Sequence, residues 1–209
     1  MRGVEQIPWL YDACCALSER TGLRRWREWL VRGATGRVLD VGCGTGRNLP
    51  LYDDVRRAVA LDPDRRLLAR ARRRGPGARF VIGCAEALPF PDGTFETVVS
   101  GLVFCSVADP HRGLREVRRV LAPHGSLRMM EHVRAGGLTG RLQDLIQPAW
   151  TKLVGGCHPN RETEANVEAA GFTILPDGRR VKGSMRRFVA KRGQVVVRPD
   201  PETSPSVTP

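Results

Sequence analysis

Three glycines, Gly42, Gly44 and Gly46, follow a short apolar run at Val38-Leu-Asp-Val41. Backbone without Cβ atoms can turn tightly there and lie close against a bound molecule. A dinucleotide fingerprint G-x-G-x-x-G would need its third glycine at position 47, which is Arg47, and the Gly-Lys-Ser/Thr of a phosphate-binding loop is missing. Asp62 closes the next apolar run, Ala58-Val-Ala-Leu-Asp62, a position from which a carboxylate accepts hydrogen bonds from both ribose hydroxyls of a nucleotide. Loop and carboxylate together point to a nucleoside-bearing ligand, with a nicotinamide dinucleotide still admissible on these residues alone.

A second set of residues offers acid–base and sulfur chemistry. His132 follows Glu131 at the end of another apolar run, Ser126 to Glu131, where a pocket beside such a ligand should open. It is the candidate catalytic residue, as base or as substrate-orienting group; a structural hydrogen bond is the competing reading. His158, in a loop expected to fold over the site, and Phe104, Cys105 and Trp150 are candidate pocket residues, with solvation or core burial as the alternative for each. The six cysteines, Cys14, Cys15, Cys43, Cys84, Cys105 and Cys157, show no C-x-x-C and no Cys/His zinc spacing. They are expected to be reduced thiols that fill space, and no metal site is expected.

The elements that must hold these residues alternate. Runs at 37–42, 58–62, 79–83, 95–100 and 126–131 read as buried strands. Asp64 to Arg74 reads as a helix, and Asp109 caps another that Pro110 opens and that ends at Leu121 before Pro123 and Gly125. Beyond strand five, a helix at 138–154 interrupted at Pro148 and another at 161–170 precede a sixth strand at 172–175 and an antiparallel seventh at 185–191. The predicted fold is α/β: a Rossmann-like, doubly wound, mainly parallel seven-stranded sheet with helices on both faces. Residues 1–35 are expected to form an N-terminal helical cap with Leu23, Trp26, Trp29 and Leu30 on one face. Residues 36–192 form the body, and 193–209, rich in Pro, Ser and Thr, form a disordered tail.

The net charge is +12, nearly all of it from arginine. Such a surface favours anionic partners, yet clusters such as Arg70, Arg72, Arg73 and Arg74 fit the C-terminal end of a helix. No run approaches the ~18 apolar residues of a membrane span, and the start does not read as a secretory signal. A cytoplasmic protein is expected, with peripheral membrane contact open and oligomeric state undetermined.

The segments Val38 to Gly46, Ala60-Leu-Asp-Pro63, Gly83-Cys-Ala-Glu-Ala-Leu-Pro-Phe90, Asp92-Gly-Thr-Phe95 and Leu114 to Leu121 resemble the class I S-adenosylmethionine-dependent methyltransferases over roughly residues 36–132. The resemblance implies S-adenosyl-L-methionine as cofactor and S-adenosyl-L-homocysteine as product. It implies Gly42, Cys43, Gly44 and Gly46 around the methionine part, Asp40 near its ammonium group, and Asp62 with Pro63 at the ribose. Ala85 and Glu86 would line the adenine, and Leu102 and Val103 would close the loop after strand four. Where the family often has Gly-Asp-Ala-Glu, this chain has Cys84, a poor acceptor for the adenine amino group.

A closer resemblance, carried by Leu102 to Val107, Met130-Glu-His-Val133, Leu142 to Trp150 and Gly156 to Thr163, is to the methyltransferase-like 7 group, which includes thiol methyltransferases. This implies a small-molecule nucleophile, thiol sulfur first. A phospholipid or natural-product N- or O-methyltransferase is the alternative, and a non-catalytic cofactor-binding protein a third. The Asn/Asp-Pro-Pro-Tyr/Phe of nucleic-acid amino methylation does not follow strand four, where Ser100-Gly-Leu-Val stands instead, so no nucleic-acid partner is expected. The apolar N-terminal anchor of the animal proteins is not expected here.

Overall fold

A computed structural model describes residues 22–154 and 156–193. Most of the expected N-terminal cap, with Cys14 and Cys15, and the expected tail beyond Gly193 lie outside the described residues. The order is α1 (Arg24–Arg32), β1 (Val38–Val41), β2 (Ala58–Asp62), α2 (Arg65–Arg74), β3 (Arg79–Ile82), β4 (Phe95–Gly101), α3 (Pro110–Val120) and β5 (Leu121–His132). It continues with α4 (Gly137–Val154), α5 (Thr163–Ala169), β6 (Phe172–Ile174), β7 (Arg180–Lys182) and β8 (Met185–Arg192).

The strands form one eight-stranded sheet in the order β3-β2-β1-β4-β5-β8-β6, with β7 also paired to β8. The first five strands are parallel; β8 is antiparallel to β5, β6 and β7. Side chains alternate across the sheet with period two. Leu39 and Val41 of β1, Val59 and Leu61 of β2, and Leu127 and Met129 of β5 pack with Leu114, Val117 and Val120 of α3 and Val167 of α5. On the other face, Val38, Val99 and Met130 meet Leu30 and Val31 of α1, while Ala58 and Ala60 meet Leu68 and Ala71 of α2. The small residues of β2 let α2 approach closely. The doubly wound architecture is thus as expected, and the carboxyl ends of five parallel strands share one edge.

Four local expectations need correction. The extended chain resumes directly at Leu121, because Pro123 and Gly125 sit in an irregularity of β5 between the pairs Phe95–Leu121 and Thr97–Ser126. Pro148 lies inside α4 without interrupting it. It is exposed, and the turns on either side are fixed by Gln143, bonded to Val133 and Pro159, and by Gln147, bonded to Thr151. Strand β7 adds an eighth strand: Gly183, at φ 57°, allows the two-residue turn that folds it onto β8. Residue 193 belongs to the ordered body, its N–H donating to the Gly171 carbonyl.

Two buried polar devices fasten the face that carries α1. Arg128 of β5 donates to the Trp29 and Leu30 carbonyls at 2.6 and 2.7 Å and lies over the Trp29 ring. Asp40 of β1 is wholly buried; its oxygens accept from Asn48 Nδ2 and Tyr52 Oη, and Asn48 accepts from Arg27. Burial raises the Asp40 carboxyl to about 6 against the pull of those bonds. A folded-state value raised above the unfolded one favours folding fully below the usual Asp range and loses that contribution as pH rises through about 6. Melting curves for Asp40→Asn and the parent should therefore diverge in favour of the variant between about pH 4 and about pH 7, by the equivalent of ~1–3 kcal/mol. A constant offset across that window would contradict this account.

Candidate active site

At the carboxyl edge of the sheet lies a cavity of about 590 Å³ lined by Gly42, Gly44, Asp62, Pro63, Ala85 and Glu86, with Leu102, Val103 and Ser106 on its far side. The size falls in the ~300–1,000 Å³ range of small-molecule sites, and the place is the crevice where strand order reverses between β1 and β4. A larger cleft of about 710 Å³, walled by His111, Arg115 and Arg118, opens at the opposite ends of the strands, away from these residues.

The three glycines have three different reasons. A Cβ at Gly44 would meet nothing within 4 Å, so this residue leaves a bare wall for a ligand. A Cβ at Gly42 would strike Val103 at 2.5 Å, and one at Gly46 would strike the Ala71 backbone of α2 at 2.8 Å. Gly42 therefore lets the loop after β4 close in, and Gly46 seats the helix. Asp62 fixes the loop by accepting Gly44 N–H at 2.9 Å and Asp64 N–H at 2.9 Å. Its two oxygens retain lone pairs beyond these bonds, since an ionised carboxylate offers about four acceptor sites. Burial raises the Asp62 carboxyl, and the two backbone bonds oppose that.

The opposite wall hangs from Glu131. Its fully buried carboxylate accepts Ser100 Oγ–H at 2.9 Å and the N–H groups of Val103, Phe104 and Cys105 at 3.0, 3.2 and 3.3 Å. Burial raises this carboxyl, with the four donors pulling it back. Leu102 enters the turn at φ 63°, a left-handed backbone that side chains seldom adopt, and its N–H donates to the Met130 carbonyl at 2.7 Å. Glu86 ties the far end of the same loop by accepting the Ala108 and Asp109 N–H groups.

Two further loops are tied to this one. Arg161 donates to the Phe104 and Val107 carbonyls at 2.7 and 2.6 Å, and His158 N–H donates to the Cys105 carbonyl at 2.8 Å. Gln143 bridges Ala135, Val133 and Pro159. The end of β5 and the loops after β4 and before α5 thereby place His132, Cys105 and Cys157 together, their sulfur and ring-nitrogen atoms all within 4.8 Å of one another. Cys105 Sγ also stands 3.7 Å from Ser106 Oγ, and Ser106 lines the cavity. The Cys157 thiol is held well below its ordinary range by hydrogen bonding from Cys105, then by His132 and the Trp150 indole, against burial. Cys105 is correspondingly pushed up. The pair thus favours one thiolate, on Cys157.

Several predicted positions differ from expectation. Asp40, sealed beneath the glycine loop, Cys43, packed with Leu49, and Gly46 do not reach the cavity wall. Phe104 is core, fully buried against Gly113 of α3 rather than a pocket wall. His158 pairs through Nδ1 with Gln147 at 2.8 Å and is not among the clustered groups. Trp150 is 39% exposed and does not line the cavity. Cys105 and Cys157, read from the sequence as separate space-filling thiols, meet beside His132 through two loops and the end of β5, which local spacing does not show. Reading the sequence missed Cys157, Ser106 and Arg161, and the anchoring part played by Glu131. The Gly156-Cys-His-Pro159 segment was the available signal for Cys157. All four cysteines among the described residues are free.

Residues 39–129 match the family model described as a methyltransferase domain. Over 175 residues the chain is 38% identical to thiol S-methyltransferase TMT1A of Homo sapiens, covering 79% of this chain and 72% of that protein. The chain belongs to the S-adenosylmethionine-dependent methyltransferases. It is also 38% identical to thiol S-methyltransferase TMT1B of Homo sapiens, over 69% of this chain and 64% of that one. A solved S-adenosylmethionine-dependent methyltransferase from Thermotoga maritima, titled a possible histamine N-methyltransferase, shares the fold with TM-score 0.61 and 22% identity over 76% of this chain and 82% of its own. The methyltransferase uses S-adenosylmethionine, and the open wall at Gly44 beside Asp62 fits a nucleoside-bearing cofactor of that size.

Two substitutions separate the glycine functions. Gly44→Ala should leave the unfolding free energy within ~1–2 kcal/mol of the parent, the cost of the left-handed backbone, while weakening cofactor binding in calorimetry. Gly46→Ala adds a backbone clash to that same penalty and should be the less stable of the two by ~1–3 kcal/mol in urea titration. The reverse order would mean that the loop is not arranged as described. Glu131→Gln presents an amide N–H where a carboxylate accepted, and should cost ~2–4 kcal/mol of stability by the same measurement.

Proposed function

We propose that this methyltransferase methylates the sulfur of a small, largely apolar thiol. The observation that carries the reading is the convergence of Cys105, His132 and Cys157 within 4.8 Å of one another, with Cys105 Sγ 3.7 Å from the hydroxyl of the cavity-lining Ser106. The 38% identity to proteins named thiol S-methyltransferases supports it.

In this reading Gly42 and Gly44 shape the wall for the methionine part of the cofactor, and the remaining Asp62 lone pairs take the ribose hydroxyls. Ala85 and Glu86 with Leu102 enclose the adenine side, and Pro63 shapes the turn beside the ribose. Bound there, S-adenosylmethionine supplies a methyl group on a sulfonium. The protein's own task is to hold the acceptor in line and keep its sulfur ionised, since positioning supplies much of the acceleration of a displacement. A thiol is already partly ionised near neutrality, so the help required from His132 as base or orienting group is modest.

A second reading, N-methylation of a lipid amine at a membrane surface, draws support from α4. Leu138, Leu142, Leu145 and Ile146 are 81%, 56%, 78% and 42% exposed at helical spacing, a stripe fitted to an apolar surface. No helix of the described residues is long and apolar enough to cross a membrane.

Transfer of labelled methyl to a panel of alkyl thiols, phenols, amines and phosphatidylethanolamine vesicles tests both. Thiol products are expected. His132→Ala should lower their turnover at least about tenfold, short of the ~10²–10⁴ of an obligatory base, with cofactor affinity nearly unchanged. Product from the lipid alone would replace the thiol reading with the second one.

A further inference from the structure

We propose that Cys105, His132 and Cys157 together bind a zinc-type divalent cation and leave one coordination position for the acceptor thiol. The cation site stands on geometry, and the thiol in its open position rests on the function proposed above. Two sulfurs and one imidazole nitrogen form a soft, three-ligand set of the composition used where zinc keeps a fourth position for substrate. In a tetrahedral site with Zn–S ~2.3 Å and Zn–N ~2.0 Å the ligand atoms stand ~3.5–3.8 Å apart. The three groups here already lie within 4.8 Å of one another, so side-chain rotations suffice to close on an ion.

The surroundings are those of a held site rather than a chance meeting of side chains. Cys105 and Cys157 are 2% and 4% exposed, and each is fixed through its backbone. Glu131 and His158 hold Cys105, while Thr151 Oγ–H donates to the Cys157 carbonyl at 3.0 Å. His132 is the last residue of β5 and pairs with Met185 of β8. Arg161, bonded to the loop that carries Cys105, brings positive charge beside an otherwise anionic cluster.

Loading the site leaves two thiolates and a neutral imidazole on the ion, and every proton the three groups still carry there is released to solvent. An incoming thiol takes the fourth position, again losing its proton to solvent. Its sulfur electron pair then forms the new S–CH₃ bond as the sulfonium C–S bond breaks, and the departing thioether keeps that bond's electrons. The cation's charge does not change, and no oxidant or reductant is needed. His132 then serves as a ligand, and the proton leaves without it.

Full-length protein, purified with reductant, dialysed against chelator and titrated with cobalt(II), tests the site directly. One equivalent should produce a thiolate-to-cobalt charge-transfer band with intense tetrahedral ligand-field bands. Zinc should displace them. Cys105→Ser and Cys157→Ser should each weaken that band, and His132→Ala should shift the ligand-field pattern, with S-adenosylhomocysteine binding as the check that the variants are folded. An alkyl thiol such as butanethiol should intensify the charge transfer as another sulfur joins. Chelator-treated enzyme should lose at least about tenfold in thiol turnover and recover it with zinc.

Absence of the cobalt bands in folded protein, a Cys105–Cys157 disulfide in the native protein, or full turnover without metal would each overturn the site. Cobalt bands indifferent to the thiol would overturn the open position. Bands that respond to the thiol, in a loaded enzyme that methylates only another acceptor, would uphold the site and remove the function proposed above.

Discussion

Glu131 is a carboxylate sealed from water at the end of β5, and the geometry of the loop after β4 follows from satisfying it. An unpaired charge at such depth costs several kcal/mol, so its acceptor sites must be met by whatever donors the neighbouring strand supplies. Those donors are Ser100 and three consecutive backbone N–H groups, which can converge only because Leu102 reverses the chain in a left-handed conformation. Everything on that side of the crevice inherits the result. Val103 closes over Gly42, Phe104 turns inward to the core, and Cys105 turns toward His132 and Cys157.

The two halves of the crevice are built on different chemistry. The β1–β2 side is a backbone surface: glycines, an aspartate that braces them, and small residues that let α2 approach. The β4–β5 side is a side-chain surface assembled from three loops by Arg161, Gln143 and Glu131. A carboxylate organises each side, Asp62 and Glu131, and both are held with raised proton affinity by burial. Asp40 is a third buried acid, below the wall, and its role is to hold the turn rather than to meet a ligand.

How much of this could be read in advance depended on whether the signal was local. Strands β1, β2 and β4 and the helices between them were legible because short apolar runs and caps, such as Asp64 before α2 and Asp109 before α3, act within a few residues. Of the cavity-lining residues, Gly44 and Asp62 were legible from their places at and just past strand ends, while Ala85 and Glu86 were legible only through the family resemblance. Strand β7 was not, because Arg180 to Lys182 is exposed throughout and shows no alternation. The continuity of α4 past Pro148 depends on tertiary bonds made by Gln143 and Gln147. The meeting of Cys105, His132 and Cys157 is a property of two loops and a strand end, and no spacing along the chain announces it. His132 was found from its place at a strand end, and its two sulfur neighbours became its neighbours only on folding.

The turn at Leu102 has one more consequence. Successive N–H groups curled around a point form a concavity that in other settings captures phosphate or carboxylate ligands. Here the chain fills that concavity with its own Glu131 side chain. Those donors are therefore spent before any acceptor arrives, and the buried negative charge behind them repels anions. In the thiol reading proposed above, recognition on this side falls to sulfur, imidazole and apolar contact, which grade molecules by polarisability and girth and read little of their hydrogen-bonding pattern. On that reading, such a wall would sort acceptors by softness and tolerate variety in the rest of the molecule.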